Sequence, residues 1–513
     1  MAVCNFPQTS SPIGQASTSC LQRFTIHFRR PAKLKQNKNA PYKGEYGFDW
    51  LRDEYIYPIQ KVAYDEVILK QTIDKFVELC IDHKDLKLEY MNEDITNPIK
   101  PHCQDYYPAW LSIFASKVKG ENADAGSEMH KDGVYLDLQL DEIDTIIPDG
   151  TKIIFKPSDP CLKITPKKIS IKKFLKTSIK KRPINSDTNN KQEISYYLLE
   201  NAVKIMCQGG TLKKPGKINV IAKLGQCKSE VGQLMVYEND KIGKANIVVV
   251  NVITKDANNQ KVIPQTHPSL NDLYNNQSFN QALIKVNIKV TENFDLVALY
   301  NKTKDKDIID FLNDILDTNY ITSQKPDLNN PPNTIDAASD IHERLVDLYQ
   351  KYGKNTPKDN KKIHDEGHYN TYLLFIDVQP RTYGGETYGI ADLRQAPKDK
   401  NKFEWGNIFI IYQKGLKDDH TIVHEAAHTF TLPHTFANVD YNVNPTLNNK
   451  HVFYYGYTEN YMDYIRLRVK DKKGYDKIVD SEYKGKMYSF FKWQWDLMRK
   501  DEKSIKLPKK QEE

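Results

Sequence analysis

Eleven residues, His424-Glu-Ala-Ala-His-Thr-Phe-Thr-Leu-Pro-His434, limit what this chain can fold into more than any other stretch. His424 and His428 are four apart, so on a helix both imidazoles lie on one face, one turn from each other. Glu425 stands between them in the H-E-x-x-H order, in which two histidines hold zinc and the glutamate serves as general base. His434 follows six residues after His428 and can close a three-histidine site that leaves a fourth position for water, as a catalytic zinc requires. The flanks agree with a helix. Asp418 and Asp419 suit its first turn, and Ile422, Val423, Ala426, Ala427 and Phe430 form an apolar stripe at helical spacing. Pro433 ends it and lets the chain turn back towards His434.

The stretch resembles the metzincin signature H-E-x-x-H-x-x-G-x-x-H, and the match falls on His424, Glu425, His428 and His434. One position departs: where the family has glycine, this chain has Thr431. That glycine adopts a left-handed conformation, which costs an L-residue about 1–2 kcal/mol and suits a β-branched one least. Either the strain is accepted here or the turn into His434 is built differently. Downstream, Thr458-Glu-Asn-Tyr-Met-Asp-Tyr464 resembles a metzincin Met-turn, with Met462 as an apolar floor beneath the metal. In several metzincin families a tyrosine at the offset of Tyr464 reaches the zinc or the oxyanion; the competing reading is a buried structural tyrosine. The resemblance spans roughly residues 275–500. It is closest to pappalysin-like and other bacterial metzincins, whose helix continues into a segment like Leu432-Pro-His-Thr-Phe436. It implies a zinc-dependent endopeptidase. It also makes the strand before the helix the sheet edge that receives an extended peptide by strand addition, through Asn407, Ile408, Phe409 and Ile410.

The remaining sequence supplies a context. With 513 residues the chain has room for several domains. A net charge of +7 on 74 basic and 67 acidic residues is too mild for a nucleic-acid binder. No apolar run is long enough to span a membrane, and the start, Met1-Ala-Val-Cys-Asn-Phe-Pro-Gln, lacks the basic and apolar regions of a secretory signal. The seven cysteines (4, 20, 80, 103, 161, 207 and 227) are odd in number and contain no C-x-x-C. They are expected to be mostly reduced, with neither a zinc cluster nor a disulfide framework favoured.

Residues 1–58 are expected to be a flexible or docking segment. The aromatic stretch Lys43-Gly-Glu-Tyr-Gly-Phe-Asp-Trp-Leu-Arg-Asp-Glu-Tyr-Ile-Tyr57 is either a partner-docking patch or part of the core of the adjoining domain. It resembles N-terminal segments of effectors of bacterial contractile (type VI) secretion systems. Val134, Leu136, Leu138 and Leu140 alternate with polar residues and predict a half-buried strand. Short strands at Ile218–Ile221, Gly232–Tyr237 and Ile247–Ile253 predict a further β-module. The lysines between Lys163 and Arg182 read as a solvated face plus linker, or as an anion site. The sequence thus predicts an α+β multidomain protein: β-rich Ig-like modules at 59–178 and 179–258, a linker at 259–275, a metzincin-like α/β protease domain at 276–505 and a charged tail at 506–513. A rival histidine pair, His364 and His368, lies in a loop-like stretch and reads as solvated or ion-binding rather than as a second zinc site.

The expected function is a Zn²⁺-dependent metalloendopeptidase acting on a protein or peptide, secreted or injected by bacteria as an effector or toxin through a route without a signal peptide. A secretion apparatus would be met through residues 1–58. The alternatives are a zinc amidase acting on cell-wall peptides and a non-catalytic adhesive or apparatus component with a decayed zinc site.

Overall fold

The structure, a computed structural model, describes residues 20–65, 71–92, 98–119, 124–186, 190–322, 324–326, 334–357, 361–364, 369–382, 385–396, 399–436, 450–470 and 476–508. His368 and the ends of the N-terminal segment and of the charged tail lie outside these residues. The chain is α+β and forms two compact units. One comprises Met1–Lys241 with His451–Tyr454 and Arg468–Lys477; the other comprises Ile242–Lys450 with Tyr455–Leu467 and Ile478–Glu513. No helix among the described residues is long and apolar enough to cross a membrane.

The first unit is built from β1 (Phe24–Arg29), β2 (Gly47–Asp49), β3 (Ala109–Ser112), β4 (Val134–Glu142), β5 (Lys152–Pro157), β6 (Leu162–Thr165), β7 (Lys168–Ser170), β8 (Lys180–Asn185), β9 (Gln192–Gln208), β10 (Gly216–Leu224) and β11 (Cys227–Val236). One sheet runs β1-β4-β9-β6, with β8 and the short strand Ala115–Ser116 also on β9; the other runs β7-β5-β10-β11-β3-β2. The sheets pack through Phe28 and Phe155, whose rings lie 6.2 Å apart. They approach closely at Gly232, where a Cβ would fall 2.1 Å from the Ile26 carbonyl oxygen, so only glycine fits there.

This layout differs from two successive modules. β4 and β6, from the stretch 59–178, pair with β9 from 179–258, and β5 pairs with β10. Both stretches therefore supply both sheets. β4 also differs from a half-buried strand, because Asp137, Gln139 and Asp141 on its second face are buried as well. They have partners: Gln139 donates to Asp141 at 2.6 Å, Arg182 pairs with Asp141 at 2.7 Å, and the Asn201 amide donates to Asp137 at 2.6 Å. Tyr46, Phe48 and Tyr55 are fully buried, so the aromatic stretch is core rather than an exposed docking patch at these positions. The lysines from Lys163 to Lys181 are exposed, as a solvated face requires. Cys20 is disulfide-bonded to Cys227, contrary to the expectation of reduced thiols.

The second unit centres on one sheet. Its main strands are β12 (Gly243–Lys255), β13 (Ile284–Asp295), β14 (Asn370–Ile376), β15 (Gly389–Ala396) and β16 (Asp399–Ile411), in the order β13-β12-β14-β16-β15. Pairing is parallel from β13 to β16; β15 runs antiparallel to β16, and the short strands Lys261–Val262 and Ile505–Lys506 run antiparallel to β12. β12 was expected in the second β-module. Its unbroken run Ile247-Val-Val-Val-Asn-Val-Ile253 suits a strand buried on both faces between parallel neighbours. The longer helices of this unit are α1 (Leu296–Thr303), α2 (Lys306–Asp314), α3 (Ala337–Tyr352), α4 (Asp419–Thr429) and α5 (Lys492–Arg499). Asp295, Asp305, Asp336 and Asp418 cap the first four, each accepting a backbone N–H from the first turn. Ile308, Phe311 and Leu312 of α2 and Ile341, Leu345 and Leu348 of α3 bury against Val248, Val250, Leu374 and Ile410 of the sheet. α4 packs against β15 and β16.

Candidate metal centre

α4 carries His424, Glu425 and His428 as the spacing predicts, and the whole span Thr421–Phe430 is buried. The helix ends at Thr429. Thr431 then takes φ = +74°, with its N–H on the His428 carbonyl (2.9 Å) and the Leu432 N–H on the Ala427 carbonyl (3.0 Å). The left-handed turn of the glycine-containing pattern is therefore kept, and a threonine occupies it. Of the two readings left open by the sequence, the left-handed turn with a non-glycine residue in it is the one present.

Past this turn the chain brings His434 back to the helix. The three Nε2 atoms of His424, His428 and His434 lie 3.2 Å from one another. Their protons are assigned by what the other ring nitrogens do. His424 Nδ1 donates to the Tyr461 carbonyl at 2.8 Å, and His428 Nδ1 donates to the Leu432 carbonyl at 2.7 Å. Two Nε2 lone pairs thus point at a common centre, joined by His434 Nε2. Burial holds all three imidazoles neutral: it lowers His428 to about 3 and takes His424 and His434 far below the ordinary histidine range, with neighbouring histidines adding to the effect.

A divalent cation fits this arrangement. The vertices of a regular tetrahedron with 3.2 Å edges lie about 2.0 Å from its centre, which is the zinc–nitrogen bond length. Neutral buried imidazoles with converging lone pairs are the donor set zinc takes. Stacked rings fix the ligand planes. Trp405 lies on His428 at 4.0 Å and 25°, and Phe436 lies on His434 at 4.9 Å and 7°.

Glu425 is buried beside the histidines. Burial raises its carboxyl to about 8, against the lowering effect of a hydrogen bond from the Ala391 amide. Gly389 is in close contact: a Cβ there would meet Glu425 Cγ at 2.7 Å. The segment Thr458–Tyr464 lies on the other side of the site. Met462 is fully buried, and its carbonyl accepts the Thr435 N–H at 3.1 Å. Asp463 shapes the turn by accepting from the Gly456, Thr458 and Tyr464 amides and the Thr458 hydroxyl. Tyr464 is not a buried structural tyrosine. It is 41 % exposed, with its ring edge-on to His434 at 4.9 Å and 5.8 Å from that of His424.

The expected substrate strand is corrected. Ile408, Phe409 and Ile410 pair with Tyr372, Leu373 and Leu374 of β14 on one side. On the other side Phe409 and Ile410 pair with Ala391 and Ile390 of β15. Their backbone groups are already engaged in the sheet interior, and all three side chains are fully buried. Asn407 spends its amide on the Ile363 and Asn370 carbonyls. The edge strand of the described sheet is β15, Gly389–Ala396, next to Glu425. The sequence signal for it is weak, since Gly-Ile-Ala-Asp-Leu-Arg is short and carries charge. Ala391, Trp405 and the carbonyls of Leu432 and Tyr461 were likewise not anticipated, because rings and carbonyls leave no motif.

Two other ligand-type groups are accounted for without a metal. Cys80 and His451 both reach Asp82, at 3.2 and 2.8 Å, and tie the segment at 79–82 to the one at 451–454 in the first unit. His364 hydrogen-bonds Asn407 at 3.0 Å and faces Asp392 at 3.3 Å, while its proposed partner His368 lies outside the described residues. Comparisons of the chain with known protein families, with curated proteins and with solved structures found no match.

Proposed function

We propose that the second unit is a metzincin-like, zinc-dependent metalloendopeptidase. The observation that carries this reading is the set of three buried, neutral imidazoles whose Nε2 atoms stand 3.2 Å apart. His424, His428 and His434 would hold the ion, their rings oriented by the Tyr461 and Leu432 carbonyls. A zinc ion held there would supply Lewis acidity for activating a water as nucleophile. Glu425, held by the Ala391 amide, accepts the proton of the attacking water and later delivers it to the leaving amine. β15 receives the substrate backbone by strand addition along the side that β16 leaves open. Tyr464, half-exposed beside His434, is placed to donate a hydrogen bond to the oxygen that gains charge during attack.

The buried polar layer and paired sheets of the first unit support a role as a rigid β-domain that accompanies the protease. The resemblance of residues 43–57 to secretion effectors supports delivery out of a bacterial cell by a dedicated apparatus. Docking on that apparatus would use surfaces other than the buried Tyr46, Phe48 and Tyr55.

The test is metal content of the purified protein together with cleavage of a denatured protein substrate, with and without a chelator. One equivalent of zinc and chelator-sensitive cleavage are expected, and Glu425→Gln should keep the metal and lose nearly all turnover. Full activity in Glu425→Gln, or failure to take up zinc on reconstitution, would overturn the proposal.

A further inference from the structure

In the first unit, Cys161 and Cys207 are both buried thiols with their sulfur atoms 3.2 Å apart. The backbone fixes this approach. Cys207 lies on β9 opposite Leu162 of β6, and Gln208 N–H donates to the Cys161 carbonyl at 2.9 Å. Cys161 belongs to the turn before β6, so its side chain is not bound to the alternation of the strand and turns towards Cys207. The pair sits in a unit that already carries disulfide chemistry, since Cys20 is bonded to Cys227 and Cys103 is also disulfide-bonded. Disulfides persist in oxidising compartments and are rare where glutathione keeps thiols reduced.

We propose that Cys161 and Cys207 form a further disulfide in the mature protein, which fastens β6 to β9. The two thiolates attack in succession a disulfide of the environment, glutathione disulfide or the disulfide of a thiol oxidoreductase. The first attack gives a mixed disulfide and releases one thiol. The second closes the Cys161–Cys207 bond and releases the other. Two protons and two electrons thus leave the protein pair and reduce one external disulfide to two thiols. The bond closes a loop across a separation of 46 residues in the chain, so it restricts the unfolded chain substantially. Cys80 would then be the one thiol left among the described residues, held on Asp82.

The experiment uses the full chain, equilibrated in an oxidised glutathione buffer, denatured with an alkylating reagent present, digested and read by mass spectrometry. The expected result is a linked peptide pair containing Cys161 and Cys207, two mass units below the sum of the thiol forms. Alkylation of both cysteines in the same sample in which Cys20–Cys227 is intact would overturn the proposal. A second measurement separates a bond from a thiol contact. Cys161→Ser, Cys207→Ser and the double variant should lose the same amount of thermal stability under oxidising conditions, about 5–10 °C, because each removes one shared bond. Losses that add across the two single variants would mean that no bond is formed.

Discussion

Replacing Thr431 with glycine should stabilise the protein, which reverses the usual effect of introducing glycine. Thr431 holds φ = +74° at the end of α4. An L-residue loses about 1–2 kcal/mol there, and β-branching adds crowding. Glycine removes that loss but gives the unfolded chain more freedom, worth about 0.4–1 kcal/mol in the other direction. The net gain is about 0–1.6 kcal/mol before the relief of crowding is added, or up to roughly 5 °C in Tm for a unit of this size. Among the described residues the Thr431 hydroxyl makes no hydrogen bond, so none is forfeited. Thr431→Ala keeps a Cβ in the left-handed region and should recover only a few tenths of a kcal/mol. The assay is urea unfolding of chelator-treated protein followed by tryptophan fluorescence, to which Trp405, Trp493 and Trp495 of the second unit contribute, with Trp50 and Trp110 reporting the first unit. Destabilisation by Thr431→Gly, or an equal gain from Thr431→Ala, would refute the reasoning and show that the turn is held in that conformation at no strain.

Gly389→Ala would push a methyl group to 2.7 Å from Glu425 Cγ; zinc content should be retained while kcat falls about 100-fold, and an unchanged kcat would mean that β15 does not position the glutamate. Trp405→Ala removes the plane stacked on His428 and should weaken zinc about 10–100-fold in a competition titration with a chromophoric chelator. In the first unit, burial raises Asp137 to about 6. The folded state therefore binds that proton more tightly than the unfolded state does, and stability falls as pH rises from about 4 to about 6. Asp137→Asn keeps an acceptor for the Asn201 amide and should gain about 1–2 kcal/mol above pH 6, with the gain vanishing below pH 4 in pH-dependent unfolding.

What could be read from the sequence depends on the range of the interactions involved. The ligand set His424, His428 and His434 was legible because it is encoded within eleven residues, by helical spacing and one turn. The start of the helix was legible to within a residue for the same reason: Asp418 and Asp419 were read as its first turn, and Asp418 is its cap. The strand exchange in the first unit was not. β9 spans 17 residues and pairs with strands from both sides of the expected boundary, and alternation along one strand does not name its neighbour. β12 was misplaced because a continuous apolar run is equally a core strand of a sandwich and a central strand of a parallel sheet. The edge strand was misplaced by one position, from β16 to β15. The strand nearest the helix in sequence looked like the edge, whereas β15 returns antiparallel outside it.

The strain at Thr431 and the order of the metal ligands are one structural matter. The left-handed turn places the Leu432 carbonyl on His428 Nδ1 and starts the segment that returns His434. Two of three ligands therefore depend on a β-branched residue that is held in a disfavoured conformation. A site released from its function would be expected to relax this: the turn could open, the rings could separate, and three buried lone-pair nitrogens would no longer have to face one another without a proton between them. Instead the nitrogens stay within 3.2 Å, with two rings anchored by carbonyls from separate segments and two backed by aromatic planes. An arrangement that is unfavourable on every local count, yet held from several directions, is what a bound cation makes favourable. This balance fits the proposed zinc site, and it links the glycine substitution to zinc. If the turn geometry alone sets the ligands, Thr431→Gly should leave zinc affinity unchanged, because it relieves the strain equally with and without the metal.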